Sequence, residues 1–118
     1  MKTMLMIITS LLVTTPLFAK EAIRIPQLKN QQVAVWKTVI YPTKQSILKM
    51  HRHDKDRVIV ALTDGILKVT NQAGQSHLMK LRKGQAYYFA KDPKNEQHTD
   101  LNISNNTIKV MVIEIQNS

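Results

Sequence analysis

Cysteine is absent from all 118 residues. No disulfide can staple the fold, and no thiol is available as nucleophile or metal ligand. Glycine is scarce, at three residues, which leaves no material for a phosphate-cradling loop. Acidic residues are few: 8 Asp and Glu stand against 17 Lys and Arg, for a formal net charge of +9. Glu21, Glu96 and Glu114 show no pairing suited to glycosidic acid–base work. Aromatics amount to one Trp, three Tyr and two Phe, with Tyr87-Tyr88-Phe89 set in a strand-like run and not among basic residues. Nucleic-acid binding needs basic clusters interleaved with stacking rings, so that partner class is excluded. The lysines spread along the chain read as a solvated, solubilising surface.

No apolar run reaches the roughly 20 residues needed to span a bilayer. A shorter one is present. Met1-Lys2 gives a positive start, Met4 to Val13 is largely apolar, and Thr14-Thr15-Pro16-Leu17-Phe18-Ala19 ends in a small residue. That layout is a secretory signal peptide over residues 1–19, with cleavage near Ala19. The mature protein is then expected to be secreted or periplasmic, with no stable membrane insertion after cleavage. No cysteine follows the run to carry a lipid anchor. What remains suffices for one core: residues 20–44 as an N-terminal lead-in and edge strand, residues 45–118 as a barrel, together one domain.

The chain beyond residue 32 reads as short strands separated by turn signals, with no convincing period of 3.6. Val33 to Ile40 alternates and carries Trp36, and Gln45 to His53 runs extended. Arg57 to Thr63 is rich in valine and isoleucine, and Asp64-Gly65 marks a hairpin into Ile66 to Thr70. Asn71 to Gln75 is a second hairpin loop, and Lys83-Gly84 turns into Gln85 to Ala90. Gln97 to Ser104 and Thr107 to Gln116 complete the set. Such spacing argues for an all-β sandwich or barrel. Arg57 to Leu62 and Ile108 to Ile115 are apolar on both parities, as expected of strands covered on both faces.

Three of the four histidines form a pattern. His51 and His53 share one face of an extended segment, and His98, Asp100 and Asn102 share one face of another. If the faces meet, three imidazoles converge, the usual beginning of a site for zinc, iron, copper, nickel or manganese. Asp100 and Asp56 are the candidate oxygen ligands, each with an alternative role as a turn or ion-pair carboxylate. Lys49 has the parity of His51, and only a twist or bulge would carry it to the rim. Asn102 is placed to brace a loop, and His77 to sit on a sheet face or rim. Arg57 can take a carboxylate or phosphate bidentately at the mouth of the pocket, or pair with Asp54, Asp56 or Asp64. Trp36, Tyr87, Tyr88 and Phe89 serve as core and pocket wall.

These residues resemble a small single-domain cupin of the RmlC-like superfamily, a double-stranded β-helix of the jelly-roll type. His51-Arg52-His53 and Gly65 fit the first cupin motif. Gly84 opens the second, and Pro93-Lys94-Asn95-Glu96-Gln97-His98-Thr99-Asp100-Leu101-Asn102 reproduces its latter half. Asn95 replaces a glycine there, and Asn also accepts left-handed backbone angles. The resemblance spans roughly Gln45 to Ile115. It implies a metal on His51, His53 and His98, but Arg57 stands where the family has its fourth ligand, a glutamate. A short bacterial subset shares this arginine. A guanidinium cannot ligate. Either the three histidines hold the ion alone, or another group completes the set, or no metal binds. The expected function is an exported protein binding a small anionic molecule through Arg57, His51, His53 and His98. The alternatives are a metal-dependent three-histidine dioxygenase or isomerase and a non-catalytic envelope-associated structural protein. Cupins often pair through strand edges, which makes a homodimer the candidate assembly.

Overall fold

The computed structural model describes residues 20–42 and 49–118. The expected signal peptide and the start of the Gln45–His53 segment lie outside them. Among the described residues no helix is long and apolar enough to cross a membrane. Eight strands follow in order: β1 (Ile23–Lys29), β2 (Val33–Ile40), β3 (Arg57–Ala61), β4 (Gly65–Asn71), β5 (Ser76–Leu81), β6 (Ala86–Phe89), β7 (His98–Asn102) and β8 (Ile108–Ile115). They make a five-stranded sheet, β1-β2-β8-β3-β6, and a three-stranded sheet, β5-β4-β7. All named pairings are antiparallel. The fold is all-β, a double-stranded β-helix.

The period-two pattern places the core. In β8, Ile108, Val110 and Val112 are buried while Lys109 between them is exposed. They meet Ile40 and Ala61 from their own sheet and Leu67, Val69 and Leu81 from the other. Burial of such branched side chains supplies the main driving force in a chain without disulfides. The opposite parity differs from expectation: Val58, Val60, Met111 and Ile113 are only half-buried. Continuous apolar runs here mark central strands, flanked on both sides within the sheet and not fully covered on both faces.

Two turn signals also resolve differently. Asp64-Gly65 does not close a hairpin, because β3 and β4 belong to different sheets. The chain crosses between layers there, and a Cβ on Gly65 would collide with the side chain of Ile108. Gly84, at φ 85°, likewise stands between sheets. Asn71 to Gln75 does form a hairpin, with Gly74 at φ 81°. At one end of the large sheet, β1 carries Pro26 and a register shift between Pro26 and Leu28, features suited to an edge strand.

Candidate metal centre

His51 and His53 precede β3, and His98 begins β7. The residue pair His51 and His98 forms an isolated antiparallel bridge, in which His51 N–H donates to the His98 carbonyl at 2.9 Å and His98 N–H donates back at 2.8 Å. The segment of His51 and His53 is therefore not a full strand, yet its alternation still brings both rings to the same point. Ring centroids lie 5.0 Å apart for His51 and His53, 4.4 Å for His51 and His98, and 5.3 Å for His53 and His98. Asp100, two residues along β7, shares the face. One donor atom from each of His51, His53, His98 and Asp100 falls within 4.8 Å of all the others.

The outer nitrogens of His51 and His98 are held as metal-site histidines require. His51 Nδ1 lies 3.0 Å from the Lys49 carbonyl. A carbonyl only accepts, so Nδ1 carries the proton. Its Nε2 stands 3.2 Å from Asp100 Oδ2. His98 Nδ1 faces Asp92 Oδ2 at 3.4 Å and its Nε2 faces Asp100 Oδ1 at 3.7 Å. Asp92 Oδ2 also accepts from His53 N–H at 2.7 Å, and Asp92 N–H donates to the His53 carbonyl at 2.8 Å. Arg52, pointing away from the rings, donates to the Pro93 and Asp92 carbonyls. Asp92 thus orders two of the three histidines. Its place in a polar loop without periodicity gave no signal of this. Only proximity to Pro93 and His98 in the second motif hinted at it.

Burial and charge set the protonation states. Burial, followed by the charge of Arg57, pushes His53 down to about 3, so its ring is neutral at ordinary pH. Burial also lowers His98. The hydrogen bond to Asp100 outweighs burial at His51 and raises it. For Asp100, burial works against the carboxylate, but the hydrogen bond to His51 and the charges of His98 and His51 hold it below its usual value. Two imidazoles held neutral, a third that releases its proton when an ion displaces it, and an ionised carboxylate form a donor set for a borderline divalent ion.

The other candidates separate cleanly. Asp56 stays outside the group: its Oδ1 accepts from Lys91 N–H, and it serves the loop. His77 lines the same cavity from β5 but is exposed and not among the converging donors. Lys49 lines the cavity rim while its carbonyl serves His51. Asn102 is fully buried. Its Nδ2 donates to the carbonyls of Ile40 (3.0 Å) and Asn106 (2.8 Å), and its Oδ1 accepts from Ser104 N–H (2.9 Å). It fastens the β7–β8 loop to the end of β2.

Arg57 is 6% exposed. Its guanidinium stacks over Phe89 at 5.4 Å, and its Nε and Nη1 have no hydrogen-bond partner among the described residues. The expected pairing with Asp54, Asp56 or Asp64 does not form among them. The arginine instead lines a cavity of about 710 Å³ that runs between the sheets. Trp36, Ile59, Met79 and Phe89 supply its apolar wall, and the histidine cluster its polar end.

No family model and no curated protein matches the chain. Solved structures do. A cupin domain from Bordetella pertussis Tohama I is 28% identical, with 80% of this chain and 93% of that one covered at a TM-score of 0.69. An RmlC-like cupin with a double-stranded β-helix fold from Methanocaldococcus jannaschii is 14% identical, covering 80% and 79% at a TM-score of 0.58. Fe(II)-HppE with the alternative substrate (S)-1-HPP is 9% identical, covering 80% and 49% at a TM-score of 0.61. The last two likenesses concern the fold alone. The chain carries the cupin double-stranded β-helix, and the likeness to the Bordetella domain supports its place in the cupin superfamily.

Proposed function

We propose that this is an exported cupin that holds a divalent transition metal and takes a small anionic molecule into the cavity beside it. The observation that carries the reading is the convergence of His51, His53, His98 and Asp100, with one donor atom each inside 4.8 Å. Three imidazoles and a carboxylate suit iron, manganese, zinc, nickel or copper by donor type. Asp100 takes the role of oxygen donor that Arg57 cannot fill. The outer-shell contacts of Lys49 and Asp92 fix ring orientation before any ion arrives. When bound, the ion supplies Lewis acidity to an oxygen of the guest molecule. Arg57 lines the same cavity with Nε and Nη1 unpartnered among the described residues, which favours an anionic guest. The positive start, apolar run and small residue at Ala19 support export.

Elemental mass spectrometry on the exported, untagged protein tests the metal, beside a His51→Ala/His98→Ala double variant. We expect near one equivalent of a single transition metal in the wild type and none in the variant. A wild-type chain that stays empty after addition of iron, manganese, zinc, nickel and copper overturns the reading.

A further inference from the structure

Arg57 is more than nine-tenths buried, and its Nε and Nη1 lack acceptors among the described residues. A buried cation with unmet donors carries a desolvation cost that a hydrogen-bonding anion relieves. The side chain shares the inward parity of Ile59, and both line the cavity that the histidine cluster closes. The acceptor Arg57 lacks can therefore arrive with a guest in that cavity.

The charge of the lining narrows the guest. Among the described residues, three cationic side chains, Arg24, Lys49 and Arg57, line the cavity together with four carboxylates, Asp92 and Asp100 included. Counting the histidines as the neutral ligands a metal needs, the lining by itself carries one negative charge in excess. A divalent ion on the histidines turns that into one positive charge in excess. One monoanion then neutralises the cavity, and a phosphate dianion overfills it beside Asp92 and Asp100. Trp36, Ile59, Met79 and Phe89 give the wall an apolar stretch that suits an apolar body. We propose that the cavity takes a monocarboxylate with an apolar body, its carboxylate on Arg57, and that metal and carboxylate bind with positive coupling. The inference rests on the metal reading above. Coupling is reciprocal: the carboxylate tightens the metal by the factor with which the metal tightens the carboxylate.

Titration calorimetry of the full chain loaded with cobalt(II), its metal content measured in every sample, provides the test. Hexanoate is the probe, with hexanamide and inorganic phosphate as controls. We expect hexanoate to bind at least about tenfold more tightly than either control, and to weaken by a similar factor in chelator-stripped protein. Arg57→Met is expected to lose that margin while retaining cobalt. Should it fail to fold, Arg57→Lys, which keeps charge but not the fork, should bind hexanoate more weakly than wild type. Equal affinity for hexanoate and hexanamide in cobalt-loaded wild type overturns the inference and leaves the metal reading intact. Equal hexanoate affinity with and without cobalt also overturns it. A wild type that takes up no cobalt overturns both, and the metal assay identifies that case.

Discussion

Asn102 shows how much a single buried amide can organise. Both of its polar atoms are engaged: two carbonyls and one N–H depend on it. Asn102→Ala would leave three backbone groups without this partner, one bond of the three buried and two part-buried. At about 1 kcal/mol or more for each, partly relieved by water, we expect a loss of roughly 2–4 kcal/mol in urea unfolding. A loss below about 0.5 kcal/mol would mean that the loop rearranges freely. The same scale shows what the sequence discloses. The pairing of His51 with His53, and of His98 with Asp100, follows from spacing alone, because alternation is a local property of extended chain. Asp92 escapes such reasoning because loop residues have no period. Arg57 is legible as the departure from a glutamate, but its missing partners are a fact of three dimensions.

Elements add constraints that no residue shows alone. A turn signal such as Asp64-Gly65 specifies a change of direction and not the strand that receives it. Here β3 hands over to β4 in the other sheet, and the layer change needs a position without a Cβ against Ile108, which is fully buried. We expect Gly65→Ala to destabilise by roughly 1–3 kcal/mol through overpacking, measured by the shift in urea midpoint. An unchanged midpoint would show that Ile108 can swing aside. Asn95 illustrates the opposite case, since its φ of 70° was foreseeable from its replacement of a motif glycine. Strand order was not legible beyond hairpins, because pairing across layers depends on which apolar faces meet.

For the whole molecule, the histidine cluster couples folding to pH. His53, held at about 3, and His98, also lowered, refuse protons that the unfolded chain accepts near 6.5. Their effect is to remove stability as pH falls from 6.5 toward 3. His51 acts in the other direction: its raised value gives stability that is present below 6.5 and lost as pH rises through the folded value. Asp100, lowered from 3.8, contributes above that pH and loses its contribution as pH falls through its folded value. Two lowered histidines oppose one raised one. We therefore expect the urea midpoint of chelator-stripped protein to fall on acidification from pH 6.5 to 4.5, with a flatter slope in His53→Gln. A midpoint that rises over that range would show the His51–Asp100 pair to be dominant.

The reciprocal hydrogen bonds between the backbones of His51 and His98 have a consequence for timing. They join two distant stretches of chain by main-chain atoms alone, so the loop entropy between them is spent when the sheet forms and not when an ion arrives. A small zinc domain that folds around its ion must exchange metal on the timescale of folding. This scaffold separates the two clocks. A metal taken up as proposed would load and leave at the pace of ion dehydration and ligand exchange while the surrounding strands keep their hydrogen bonds.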